Sequence, residues 1–176
     1  MLNFRCSIKD TVDIQKIQKL ADEASVEILV GFPSGRQHVP TFHKNSKKEY
    51  RTYDQQDIRQ AEPIDNDELA KMLSYGTADI PARPFLEEGI ASKKEELRKE
   101  MEKQAEKAIN GQNADWSKVG TMAVGAIYEF VRSDHYRSTK PNSQKTIKYK
   151  GSDLPLIDGG DLVNNVTFLV NGVEKQ

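Results

Sequence analysis

The sequence predicts an α+β fold: a small mixed or antiparallel β-sheet packed against three to four helices, with long protruding loops. Three observations carry the prediction. The hydrophobic period switches from helical to alternating near residue 25, two long amphipathic helical series follow one another over 84–132, and Val166, Phe168 and Val170 alternate near the end. A chain of 176 residues suits a single domain over 1–176 with a modest core.

Residues 11–24 place Ile14, Ile17, Leu20, Ala21 and Ala24 on a 3-and-4 spacing, a short amphipathic helix. From Ser25 to Phe32 the residues Val26, Ile28, Val30 and Phe32 share one face, which is a strand ending at Pro33-Ser34-Gly35. The segment from about 34 to 64 then loses all periodicity. About 30 such residues are too many for an ordinary connection. They read either as a loop or as an extended hairpin arm that orders against another subunit, with weak strands over 37–43 and 48–53.

Asp65, with Glu68 three residues on, resembles a capping box opening a helix whose buried stripe is Leu69, Met72 and Leu73. Gly76 stops that helix in a slot favouring a left-handed residue. In the connector that follows, Pro81 and Pro84 hold Ile80 and Arg83 extended, because a proline Cδ disfavours helical geometry in the residue before it. Pro84 is also suited to open the next helix, predicted over 84–110. Leu86, Ile90, Leu97, Met101, Ala105, Ala108 and Ile109 mark one face of it, and the rest is charge, as in the pairs Glu95–Lys99, Arg98–Glu102 and Glu100–Lys103. A further helix, from about Trp116 to Arg132, carries the most regular apolar series of the chain. Gly120 and Gly125 weaken it intrinsically, which predicts close approach of a neighbouring element. The segment from about 133 to 160 reads as a long loop with a brief strand at Thr146–Tyr149. A strand over Val166–Val170 ends at the turn signal Asn171-Gly172, with too few residues beyond for a clear hairpin partner.

Composition narrows the function. The chain is 36% hydrophobic and 30% charged, which fits a small core with long exposed loops, or a surface completed by a partner. Twenty-six basic against 27 acidic side chains argue against strong electrostatic attraction to nucleic acid. The single cysteine, Cys6, excludes an internal disulfide and suggests a reducing compartment. No signal-like N-terminal pattern and no apolar run near the roughly 18 residues of a membrane span is present, so a soluble protein is expected.

No residue set is nominated for catalysis, and neither a cofactor nor a metal is expected. His38, His43 and His135 fall in no ligand spacing. Asp153, Asp158 and Asp161 beside Gly159-Gly160 are explained by turns and capping, and they miss the EF-hand spacing. No phosphate-binding Gly-rich loop or nucleophile elbow occurs.

Two segments together resemble the tail-completion, or head–tail joining (neck), proteins of long-tailed bacteriophages and prophages. One is Tyr75-Gly76-Thr77 followed by Ile80-Pro81-Ala82-Arg83-Pro84-Phe85-Leu86; the other is Lys150-Gly151-Ser152-x-Leu154-Pro155-Leu156-Ile157-Asp158-x-Gly160-x-Leu162 with the strand after it. Between them, Trp116-x-x-Val119-Gly120-x-x-Ala123-x-Gly125-x-Ile127 is similar to the middle helix of that family. Gly159 stands where the family has Thr, Asn164-Asn165 where it has Ser, and the 34–64 segment exceeds the usual hairpin.

The resemblance implies a structural, non-enzymatic virion protein that forms a ring, expected to be a hexamer, at the head–tail junction. Its partners would be copies of itself, a head connector or portal-side protein, and a tail tube or terminator protein, with DNA passing through the lumen without specific binding and no membrane involved. A ring is a heterologous assembly, so each subunit needs two different contact surfaces. The arm at 34–64 and the loop at 133–160 are expected to supply them, with Arg83, Tyr50, Arg51, Tyr53, His135 and Tyr136 as candidate interface residues. Arg83 has two partners open to it: a carboxylate on its own long helix, or a neighbouring subunit. The alternative from another class is a nucleic-acid-binding phage accessory protein. It would use Lys44, Lys47, Lys48, Arg51 and Arg59, with Tyr50 and Tyr53 among them, and its binding would weaken steeply with salt.

Overall fold

The chain folds as an α+β structure, and the computed structural model describes residues 26–33, 35, 37–38, 64–78, 80–158 and 160–174. The elements are β1 (Ile28–Gly31), β2 (Gln37–His38), β3 (Ile64–Asp65), α1 (Asn66–Tyr75), α2 (Phe85–Ser92), α3 (Lys94–Ile109), α4 (Trp116–Arg132), α5 (Asp134–Thr139), α6 (Gln144–Lys150), α7 (Asp161–Asn164), β4 (Thr167–Val170) and β5 (Val173–Glu174). One sheet is antiparallel in the order β1-β4-β5, and β2 pairs antiparallel with β3 in a second. The helix expected over 11–24, Cys6, and Tyr50, Arg51 and Tyr53 of the expected arm lie outside the described residues. So do most of the two weak strands expected over 37–43 and 48–53; Gln37–His38 pairs with Ile64–Asp65, so the two ends of the 34–64 segment meet.

Helix α4 is the axis of the molecule. Its buried face is Val119, Gly120, Ala123, Ala126, Ile127 and Val131, the i, i+3, i+4, i+7 series read from the sequence. The Phe168 ring of β4 lies against Gly120, where an added Cβ would sit 2.1 Å from ring atom Cδ2. On another side α2 crosses so closely that a Cβ on Gly89 would lie 2.8 Å from the Ile127 Cα. One buried cluster gathers Phe85, Ile127, Val131, Tyr136, Leu162 and Val166, and a second gathers Leu97, Val119 and Ala123. The close approach expected at Gly120 is therefore found, whereas nothing lies within 4 Å of a Cβ built on Gly125.

Several expectations are corrected. The helix predicted over 84–110 is two helices, with Pro84 as the N-cap residue of α2 and a break at Lys93. The Ser92 hydroxyl donates to the Gly89 carbonyl at 2.6 Å, the acceptor that the Lys93 N–H would use in an unbroken helix. That N–H turns instead to the Ile90 carbonyl at 3.2 Å. The 133–160 segment is no loop: it carries α5 and α6. Thr146–Tyr149, read as a strand, lies within α6, because capping overrides the β-branched Thr146 and Ile147. The Ser143 hydroxyl accepts the Thr146 N–H at 3.1 Å, and Gly151 closes the far end in the left-handed conformation. Ser133 likewise caps α5, taking the Tyr136 N–H at 3.1 Å while its hydroxyl donates to the Phe130 carbonyl. At α1, Asp65 occupies the N-cap position but makes no side-chain capping bond, so the expected capping box is not formed. The number of helices among the described residues is thus seven, not three or four.

The final hairpin closes after all. Asn171 and Gly172 have φ of 51° and 75°, the positive pair that a two-residue type I′ turn requires, and Val170 pairs with Val173 across it. Asn171 also ties the hairpin to β1. Its N–H donates to the Glu27 carbonyl at 2.9 Å, and its side-chain oxygen accepts the Glu27 N–H at 3.0 Å.

The two glycines of α4 should respond oppositely to one added methyl group. Gly120→Ala is expected to destabilise the fold by about 1–3 kcal/mol, since the Phe168 ring must leave its place. Gly125→Ala, with open space around it, should stabilise by up to about 1 kcal/mol through helix propensity. Urea titrations of the two variants beside the parent check both signs.

Candidate functional site

The candidate site is the joint where the proline-held connector meets the 133–158 segment. Gly76 ends α1 at φ 77°, ψ 172°, an extended mirror-image conformation rather than the left-handed helical one expected, and one that only glycine adopts readily. A Cβ there would also sit 2.8 Å from both the Ala82 nitrogen and the Ile80 carbonyl oxygen. From Gly76 the chain folds back over the end of α1. The Thr77 N–H donates to the Ile80 carbonyl and the Arg83 N–H to the Leu73 carbonyl, both at 2.8 Å. The Ile80 N–H completes the turn on the Thr77 hydroxyl at 3.1 Å. The connector therefore satisfies one of the carbonyls that a helix end leaves orphaned, and it delivers Phe85, fully buried, into the core at the start of α2.

The Arg83 side chain bridges the connector to the other segment of interest. Its Nη2 donates to the Pro141 carbonyl at 2.8 Å, so its contact within the chain is a main-chain oxygen and not a carboxylate of α2 or α3. Around this bond lie further ties between the same parts. Lys140 approaches Glu88 of α2 at 3.6 Å, and Arg137 pairs with Asp134 and, at 3.6 Å, with Asp153. Buried Asn142 donates its amide to the carbonyls of Asp153 and Leu154 at 3.3 and 3.2 Å. Lys150 Nζ donates to the Leu154 carbonyl at 2.5 Å, and the Ser152 hydroxyl accepts the Leu154 N–H at 3.2 Å. The run Lys150-Gly151-Ser152 is thus a compact turn: an anchoring ammonium, a left-handed helix stop and a hydroxyl that holds the next amide. Burial lowers the Lys150 ammonium from its usual range and nearby Arg83 adds to this, while Asp158 and Asp153 oppose it.

Of the six interface candidates, the structure brings Arg83 and Tyr136 together at this joint, and His135 lies next to Tyr136 on α5. His135 is exposed, its ring centroid 6.3 Å from that of Phe130. Tyr136 departs from expectation: it is fully buried, its ring 5.1 Å from Phe130, and its hydroxyl has no hydrogen-bond partner among the described residues. It is a core residue, because the Ser133 cap turns α5 back onto α4. Burial raises the Tyr136 phenol well above its ordinary range, with Arg83 opposing and Glu88 reinforcing. Tyr50, Arg51 and Tyr53, and with them the 44–59 loop of the nucleic-acid alternative, lie outside the described residues. Sequence reasoning missed Pro141 and Asn142, the receiving side of the joint. The one available signal was Asn142-Ser143 ahead of Thr146, a helix start that makes the preceding Pro141 the end of a turn.

The described contacts of the joint are hydrogen bonds to main-chain carbonyls and ion pairs to carboxylates. Among the described residues no group of His, Cys, Asp or Glu is placed to hold a metal ion, and no helix is long and apolar enough to cross a membrane. Away from the joint, a largely apolar groove of about 400 Å³ opens between β1, α3 and α4, lined by Ile28, Val30, Ile90, Leu97, Met101 and Val119 among others. No family model, curated protein or solved structure matches the chain.

Removing the Arg83 bond should loosen the joint rather than unfold the core. Arg83→Ala is expected to cost about 1 kcal/mol and to speed amide exchange chiefly over 133–154, read by hydrogen exchange with peptide resolution. Tyr136→Phe removes a buried hydroxyl that has no partner among the described residues, so it should be neutral or stabilising. The phenol's raised pKa contributes stability that is complete below the unfolded value near 10 and is lost as the pH rises above it. The phenylalanine variant should therefore lose less stability than the parent between pH 9 and pH 11, on the order of a pair of melting curves to detect.

Proposed function

We propose that this chain is a structural subunit of a phage virion that assembles into a ring at the head–tail junction, completing the tail or joining it to the head connector. The reading rests on the resemblance of the Tyr75–Leu86 and Lys150–Leu162 segments to tail-completion and neck proteins. The observation that carries it further is the joint itself. The two resembling segments, more than sixty residues apart in the chain, meet around Arg83, Pro141, Asn142 and Leu154. A motif kept for chemistry would place reactive side chains together. Here the motif residues fix angles: Gly76 and two prolines turn the chain, and Arg83 ties the turn to the segment that follows α4.

Such rigidity is what a ring subunit requires, because a ring closes only when each copy meets the next at one angle. Ring copies and the connector-side and tail-side proteins would be the partners, and DNA would pass through the lumen without specific contacts. The near-balance of 26 basic and 27 acidic side chains agrees with a passage that does not retain DNA.

Imaging by negative stain together with mass measurement across a concentration series should give closed rings, with six copies the expected count. Deleting the gene in a producing phage or prophage should leave filled heads and tails that fail to join. Normal virions from the deletion would overturn the proposal.

A further inference from the structure

The chain between α6 and α7 is held in two different ways. Its first part is tied by polar contacts. Lys150 Nζ and the Asn142 amide both donate to the Leu154 carbonyl, Asn142 donates also to the Asp153 carbonyl, and Arg137 approaches the Asp153 carboxylate. Its second part is held by packing: Pro155 is fully buried, and the half-buried Leu156 and Ile157 both lie against the larger core cluster. In an extended chain successive side chains point to opposite sides, so Leu156 and Ile157 reach one core only across a turn. That turn spans three residues. The Ile157 N–H donates back to the Pro155 carbonyl at 2.7 Å, with Leu156 between them at φ 57°. A three-residue turn about a positive φ is strained, and a leucine Cβ there crowds the carbonyl oxygen that follows it. Among the described residues the only other non-glycine at positive φ is Asn171, whose hairpin turn calls for that residue. Leu156 has no such warrant. Gly151 and Gly160, at φ 72° and 89°, flank the strained stretch, and beyond them the chain is fixed by α6 and by the buried Leu162 and Val163 of α7.

We propose that residues 152–158 form a strained strap that opens as a unit while the core stays folded, with Gly151 and Gly160 as its hinges. Closed, the donors of Asn142 and Lys150 grip Leu154, and Leu156 is kept at positive φ. Open, Leu156 relaxes to an ordinary negative φ and leaves the core together with Ile157. The joint then presents two apolar side chains and the released carbonyls of Asp153 and Leu154. Relief of the strain offsets part of the packing lost, so the strap opens at a lower cost than the unfolding of α4. The Arg83–Pro141 bond lies outside the moving stretch and is kept in both states. The strap is a property of the single chain and holds whether or not the chain forms a ring.

Hydrogen exchange of the full chain, resolved to single amides and corrected for intrinsic rates, reads the opening directly. The Leu154 and Ile157 amides are both hydrogen-bonded in the closed strap, to the Ser152 hydroxyl and the Pro155 carbonyl. They should exchange together, at least about tenfold faster than the amides of Ile127 and Val131 in α4. Exchange of both at the α4 rate would overturn the proposal. The strain is read from a pair of variants, Leu156→Gly and Leu156→Ala. Both lose the leucine side chain and differ by one Cβ at positive φ, where glycine is relaxed and alanine is not. The Ile157 amide should exchange at least about threefold more slowly in the glycine variant, the reverse of the order at an ordinary position. Equal rates, or slower exchange with alanine, would overturn the strap. Asn142→Ala should speed exchange at Leu154 and Ile157 about fivefold and leave α4 unchanged, whereas an equal change in α4 would overturn the grip assigned to Asn142. Circular dichroism shows whether each variant is folded; should none fold, the parent's own exchange decides.

Discussion

The close approach of two elements, β4 and α2, to helix α4 is the constraint on which the rest of the structure depends. Phe168 can lie flat on that helix only because residue 120 has no side chain, and α2 can cross at Ile127 only because residue 89 has none. Those two contacts set how far the sheet and α2 stand from the axis. Everything else takes its position from them: α3 follows α2 through the break at Lys93, and the Ser133 turn sends α5 back along the same core. The break at Lys93 itself stems from the region of close approach, since it is the Gly89 carbonyl that the Ser92 hydroxyl captures.

Much of this was legible in the sequence because it depends on local rules. The apolar spacing of Val119, Ala123, Ile127 and Val131 places α4 to the residue, and the alternation of Val26 to Phe32 and Val166 to Val170 marks the sheet. Gly76 and the two prolines announce a fixed turn. What was not legible is settled by polar groups acting over three or four residues. Ser92 breaks a helix whose apolar stripe runs on unbroken, and Ser143 with Gly151 builds a helix from residues whose propensity favours a strand. Gly125 shows the converse limit: a glycine in a helix suggests a close neighbour, and nothing is near it.

The candidate site was half legible. Arg83 stands out in the sequence because two prolines bracket it, yet its acceptor is a main-chain oxygen, and a carbonyl leaves no mark in the residue code. Tyr136 reads as a surface aromatic in a polar stretch, Asp134-His135-Tyr136-Arg137. Only the turn at Ser133 reveals that it is the single member of that stretch to enter the core. The same unevenness holds for the sheet edges. Strand alternation tells which side chains share a face, but which main-chain groups turn away from β4 follows from the phase set by Asn171, visible only once Glu27 lies beside it.

The Arg83 bond carries one more consequence. A guanidinium held by a carboxylate is a contact that acid can neutralise and that concentrated salt weakens; a guanidinium held by the Pro141 carbonyl faces an acceptor with no charge to lose. Arg83's share in holding the connector to the segment after α4 is therefore insensitive to acid, unlike that of the Lys140–Glu88 and Arg137–Asp153 pairs beside it.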